Sequence, residues 1–133
     1  MTRVPGLADR VTRIAQQVTA SGRTAYAKAV LLQDWFRSTG GFTYSLARQP
    51  GNGMAELVKF ITVDKVGYCE QYAAAMAVMA RALGIPSRVV VGFLAPKQLN
   101  DGSYRYTSDD LHAWPEMYFS GSGWVRFEPT PST

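Results

Sequence analysis

The first third of the chain places apolar residues at helical spacing. Leu7, Val11, Ile14, Ala15 and Val18 recur three or four positions apart, which predicts an amphipathic helix over 7–19. Ala27, Val30, Leu31 and Trp35 repeat the pattern and predict a second helix over 23–37, separated from the first at Ser21-Gly22 and closed by Gly40-Gly41. Phe42 to Leu46 then alternates as a short strand does. Gln49 to Gly53 is a loop by composition, and a short helix is expected over 55–60.

At Cys69 the pattern changes. From there to Leu83 the run of Tyr72, six alanines, Met76, Val78 and Met79 leaves few polar positions, so the segment is expected to be a helix buried on every side, ended by Gly84 and Pro86. Beyond Pro86 the chain reads as strands over Arg88 to Phe93, Tyr104 to Thr107, His112 to Phe119 and Trp124 to Phe127. Ser120-Gly121-Ser122-Gly123 joins the last two as a hairpin, and Pro96 to Gly102 is expected as a polar surface loop. Helices followed by an antiparallel sheet predict an α+β fold with the buried helix packed on the sheet, and residues 1–133 are expected to form a single domain.

Composition narrows the function. With 47% hydrophobic and 12% aromatic residues among 133, the chain can build a core without disulfides or a structural metal. The net charge is +4, but the basic residues are scattered from Arg3 to Arg126 without a cluster, so no nucleic-acid partner is expected. One cysteine and one histidine exclude a disulfide framework and fall short of the three or four ligands of a zinc site. No stretch approaches the roughly 20 apolar residues of a membrane span, and the opening lacks the apolar core of a secretory signal. The chain is expected to be soluble.

Three residues stand where chemistry could be placed. Cys69 opens the buried helix, where unpaired N–H groups and the positive end of the helix dipole favour a thiolate. Its own N–H is a ready donor for an acyl oxygen. His112 starts a predicted strand, from which an imidazole projects off a rigid element, and imidazole is the side chain suited to proton transfer near neutrality. Glu128 ends the strand across the hairpin, where a carboxylate could hold the second imidazole nitrogen. Taken singly, each has a bland alternative: Cys69 as a small core side chain, Glu128 as the ion-pair partner of an arginine. Asp109 and Asp110 read as loop residues.

The joint order is more specific. Gly67-Tyr68-Cys69-Glu70-Gln71-Tyr72-Ala73, then Arg81 through Phe93, then His112-Ala113-Trp114, then Gly123 through Thr130 resembles the transglutaminase-like superfamily over about residues 60–131. The likeness is greatest to the bacterial group in which such a domain belongs to a larger membrane protein. The resemblance implies a papain-like fold, with Cys69 as nucleophile, His112 as base and Glu128 as third member, where the family more often has aspartate. It further implies acyl transfer on glutamine carboxamide or peptide carbonyl groups through a thioester. The alternatives are a cysteine peptidase or deamidase using the same residues, or a non-catalytic peptide-binding module.

A protein or peptide substrate is expected, with no required cofactor or metal. The domain is expected to be monomeric, to be excised from a longer chain, and to reach a membrane only through regions of that parent. An extracytoplasmic location follows from the likeness, with a cytoplasmic one as the alternative. Trp114 and Trp124 are expected to wall the cleft or pack beneath it. Tyr44 and Tyr68 are both candidates for a second oxyanion donor, and spacing selects neither.

Overall fold

The helix opening at Cys69 is the element on which the rest is assembled. A computed structural model describes residues 6–46, 53–93, 97–105 and 111–131. Residues 49–52 of the loop expected over 49–53, Pro96, the end of the strand expected at 104–107, and Asp109-Asp110 lie outside the described residues.

Helix α1 spans Leu7–Val18 and α2 spans Ala25–Asp34. The Thr24 hydroxyl caps α2 by accepting from the Ala27 N–H at 3.0 Å. The second helix reaches its predicted length only by widening into a π-helical turn, Trp35–Thr39, closed by the Gly40 N–H donating to the Trp35 carbonyl at 2.8 Å. Gly40 is needed there, because a β-carbon would stand 2.7 Å from that same carbonyl oxygen. Strand β1, Thr43–Tyr44, follows. Helix α3, Met54–Lys59, widens in the same way into Phe60–Asp64, and β2 is Val66–Gly67.

Helix α4 runs Cys69–Ala82. It ends in a Schellman arrangement, with Gly84 at φ +83 and the Ile85 N–H reaching the Ala80 carbonyl at 2.9 Å. Ser87 Oγ donates to the Ala77 carbonyl at 2.6 Å, and the Arg81 guanidinium holds the Ser87 carbonyl at 2.8 and 3.1 Å. The helix end is thereby tied to the first residue of the sheet. Burial is less complete than the apolar run suggested: Glu70, Ala74 and Arg81 are exposed along one strip, and small alanine leaves that strip open at little cost.

The main sheet has the order β3 (Ser87–Phe93), β6 (Leu111–Phe119), β7 (Gly123–Arg126), all antiparallel. Between β3 and β6, Lys97–Gln98 (β4) pairs antiparallel with Tyr104–Arg105 (β5) as a separate ribbon. Tyr104 is therefore not in the main sheet, and Lys97–Gln98 is strand where a loop was expected. The intervening turn explains both, since Gly102 at φ +89 and the Leu99–Ser103 hydrogen bond bring the two short segments face to face.

Ala113, Pro115 and Met117 of β6 point at α4 and are buried. Met117 joins Tyr72, Met76 and Met79 of the helix and Phe36, Leu32 and Ile61 from the helical half in one buried core. Truncating a buried methionine such as Met76 to alanine costs on the order of 2–5 kcal/mol. Trp35, Phe36, Phe42, Phe60 and Tyr72 form one aromatic cluster with centroid separations of 4.9–6.0 Å. The architecture is thus α+β, as expected. Among the described residues, no helix is long and apolar enough to cross a membrane.

Candidate active site

Cys69 is the first residue of α4 and is half-buried. The turn before it is held from three directions. Gln71 Oε1 accepts from the Tyr68 N–H at 3.0 Å, closing the helix start. Gly67 is packed so tightly that a β-carbon would lie 2.3 Å from that Gln71 oxygen and 3.0 Å from the Phe60 ring. β2 also pairs in parallel with β1, matching Tyr44 to Gly67, with the Thr43 and Ser45 N–H groups donating to Lys65 and Gly67 carbonyls at 2.8 Å each.

Lys65, the residue before β2, adopts φ 52, a left-handed conformation that is uncommon for lysine. Its ammonium donates to the Gly40 carbonyl at 2.8 Å and lies 5.4 Å from the Phe42 ring centroid. Tyr72, one turn into α4, donates its hydroxyl to the Thr43 carbonyl at 2.6 Å, and burial pushes its phenol up to about 12. Helix geometry leaves the N–H groups of Cys69 and Glu70 without intrahelical acceptors, so the helix start presents donors beside the thiol.

His112 lies near the start of β6, 16% exposed at its side chain, and Glu128 lies two residues past the end of β7. The ladder runs on beyond β7 through the Phe127 N–H to the Pro115 carbonyl at 3.0 Å. In that register Glu128 meets His112 on the diagonal and on the same face. Glu128 Oε1 is 2.5 Å from His112 Nε2. A neutral imidazole in this pose carries its proton on Nε2 toward the carboxylate and leaves Nδ1 as the free base.

The helical half fixes Glu128 in turn. Its N–H donates to Gln33 Oε1 at 2.7 Å, and Arg37 donates to its carbonyl at 3.1 Å. The Thr130 N–H reaches Oε2 at 3.4 Å, while the Thr130 Oγ1 is buried without a hydrogen-bond partner among the described residues. Neither Gln33 nor Arg37 was singled out from sequence, because each lies more than 90 residues from Glu128 and in a helix of unrelated pattern.

Trp114 stacks beside His112 with centroids 6.2 Å apart. Its ring lies over Gly92, the cross-strand partner of His112, where a β-carbon would be 2.8 Å from the indole. Its Nε1–H donates to Glu116 at 3.2 Å, and the Arg126 guanidinium covers its face at 4.2 Å. Arg126 is also 3.8 Å from Glu128 Oε1. The Arg88 guanidinium holds Glu116 at 2.7 Å, and that hydrogen bond, assisted by Trp114, keeps the Glu116 carboxyl below the usual carboxylate range.

Trp124 does not wall this region. It pairs with Tyr118, about 20 Å along the strand from His112, is 42% exposed and stacks under Arg88 at 4.0 Å.

His112 and Glu128 are therefore bonded to each other, whereas no hydrogen bond joins Cys69 to His112 among the described residues. Cys69 approaches from the other structural half, on the helix that packs against β6. Burial raises the phenol of Tyr44, one of the two candidate tyrosines, above its ordinary value, and the charge of Cys69 raises it further.

Residues 12–129 match the family model described as the Transglutaminase-like superfamily. YebA of Bacillus subtilis is 33% identical over 131 residues, which is 93% of this chain and 18% of YebA. Protein-glutamine gamma-glutamyltransferase of Pseudomonas aeruginosa is 37% identical over 90 residues, 67% of this chain and 13% of that protein. The crystal structure of the periplasmic domain of TgpA from Pseudomonas aeruginosa, bound to ethylmercury, superposes with a TM-score of 0.79 at 29% identity, covering 96% of this chain and 46% of that one. The chain spans less than half the length of each of these relatives.

Proposed function

The chain belongs to the transglutaminase-like superfamily, and on that premise we propose that it is a single domain carrying out cysteine-dependent acyl transfer, with Cys69 as nucleophile, His112 as general acid and base, and Glu128 orienting the imidazole. The observation that carries this reading is the 2.5 Å contact between Glu128 and His112 Nε2, which leaves Nδ1 as the base, on a strand against which the Cys69 helix packs.

In the proposed reaction Nδ1 takes the proton from the Cys69 thiol, and the sulfur attacks the carbonyl carbon of a glutamine carboxamide. The tetrahedral intermediate collapses with cleavage of the C–N bond, and ammonia leaves with the proton returned by His112. The acyl group remains on Cys69 as a thioester. An amine then attacks the thioester carbon, its proton passes to His112, and the sulfur departs with the product amide formed. Water in place of the amine would give deamidation, and a peptide carbonyl in place of the carboxamide would give peptidase chemistry.

Transfer is favoured over hydrolysis by the relative whose name states a protein-glutamine gamma-glutamyltransferase. The same likeness supports a protein or peptide substrate, and the periplasmic origin of the TgpA domain supports an extracytoplasmic position within a larger parent. The test is incubation with a glutamine-bearing protein and a biotinylated primary amine. Amine incorporation that is lost in Cys69→Ala supports transfer. Cys69-dependent release of ammonia or peptide without incorporation would replace it by hydrolysis.

A further inference from the structure

Lys65 is the one non-glycine residue among the described residues with a left-handed backbone, φ 52. Glycine takes that conformation freely and lysine does not, so the side chain has to supply something that glycine cannot. Each polar group of Lys65 is tied to a different segment. Its N–H donates to the Phe60 carbonyl at 2.9 Å and closes the π-helical turn after α3, and its carbonyl accepts from the Thr43 N–H at 2.8 Å and starts the β1–β2 pairing. Its ammonium donates to the Gly40 carbonyl at 2.8 Å, at the end of the π-helical turn after α2, with the Phe42 and Trp35 rings at 5.4 and 6.0 Å. The two backbone ties would survive in glycine. Only the ammonium contact needs the lysine side chain.

Cys69 stands four positions further on, and little slack lies between. The Ser45 N–H holds the Gly67 carbonyl at 2.8 Å, and Gln71 Oε1 holds the Tyr68 N–H at 3.0 Å, so a rotation at Lys65 is passed along β2 to the first turn of α4. We propose that Lys65 is a positioning residue for the nucleophile: its ammonium clasp on Gly40 keeps Lys65 left-handed and thereby fixes where Cys69 stands relative to His112. The proposal rests on the reading of Cys69 as nucleophile and His112 as its base. A half-buried, charge-assisted hydrogen bond offsets the backbone cost, and it ties the approach to the nucleophile to a carbonyl 25 positions earlier in the chain.

The experiment compares three replacements by the iodoacetamide alkylation rate of Cys69 near neutral pH and by the denaturant midpoint of unfolding. Lys65→Gly relieves the backbone and removes the clasp, Lys65→Met keeps an unbranched stem without the charge, and Lys65→Arg keeps a charged donor. The glycine and methionine variants are expected to alkylate about tenfold more slowly, toward the rate of an ordinary thiol. The glycine variant should keep most of the wild-type midpoint, and arginine should recover most of the wild-type rate. Raising the ionic strength should leave these differences in place, because the clasp is a short contact to a carbonyl and not a long-range charge effect on the sulfur. Wild-type alkylation in Lys65→Gly or Lys65→Met would overturn the proposal and leave the Cys69 chemistry standing. A slowing that only tracks lost stability, with no recovery in Lys65→Arg, would overturn it as well, since the lysine would then be a general brace of the fold. Differences that vanish at high salt would overturn it by assigning the effect to charge. Alkylation equally slow in the wild type and in His112→Ala would remove the nucleophile–base pair itself, and this inference with it.

Discussion

The two sides of the candidate site are built in opposite ways. The His112–Glu128 side is a hairpin: one turn, Ser120–Ser122, sets a register that runs through Tyr118–Trp124 and Glu116–Arg126 and delivers Glu128 to His112. The Cys69 side has no such local rule. Its position depends on two π-helical turns, a two-residue parallel pairing between segments 23 residues apart in the register, a left-handed lysine and a glutamine folded back on its own helix start. A base can be placed by strand alternation, while a nucleophile at a helix start needs the preceding turn to be fixed by contacts distant in sequence. Perturbations should therefore separate the two sides.

The largest effect is expected from Glu128→Gln. It keeps the shape but lets the amide donate to Nε2, which imposes the wrong tautomer on His112, and acyl transfer should fall by about 10⁴-fold with the fold retained. Glu128→Asp sharpens the test, since the shorter acid must still span the 2.5 Å contact from a backbone pinned by Gln33 and Arg37; recovery of most of the activity would show that the backbone gives.

The glycines compare the two sides directly. Gly67→Ala places a β-carbon 2.3 Å from Gln71 Oε1, displacing the group that closes the Cys69 helix, at about 1–3 kcal/mol. It should lower Cys69 alkylation while the single imidazole resonance, that of His112, keeps its wild-type position by NMR. Gly92→Ala drives against Trp114 and should move the His112 resonance, lowering alkylation only through the displaced imidazole and so by less than Gly67→Ala does. If both variants moved both readouts equally, the separation would be wrong.

A smaller effect is expected at Tyr72. Tyr72→Phe removes the hydroxyl from the Thr43 carbonyl and should cost about 1 kcal/mol by denaturant unfolding. The Tyr72 phenol is raised in the folded state from 10.0 to about 12, so folding favours its protonated form. Its stabilising contribution is whole below about pH 10 and is lost as pH rises toward 12; the wild type should lose more stability over that interval than Tyr72→Phe. The smallest effect belongs to Thr130→Val, which replaces a buried hydroxyl lacking a partner among the described residues. It should leave the unfolding midpoint unchanged or slightly raised.

Much of this was readable in the sequence, and the reasons differ by region. The α4 run and the Gly84-Pro86 stop gave the central helix because local periodicity and left-handed glycine chemistry act over a few residues. The hairpin gave the meeting of His112 with Glu128 for the same reason. Lys97–Gln98 was hidden because a two-residue strand has no alternation to detect. The π-helical turns were hidden because they share the apolar spacing of the helices they extend, and Gln33 and Arg37 because nothing in their own segment signals a carboxylate more than 90 residues away. The β1–β2 pairing that sets Tyr44 opposite Gly67 was hidden because a two-residue strand does not announce a partner 23 positions on.

The most direct test of the central claim, that Cys69 and His112 work as a pair, is the iodoacetamide alkylation rate of Cys69 near neutral pH in the wild type and in His112→Ala. The account predicts that the wild-type thiol reacts at least about tenfold faster than the variant, because only the paired imidazole draws off its proton. Equal rates, both matching an ordinary cysteine, would contradict it and leave the domain a peptide-binding module on the same fold.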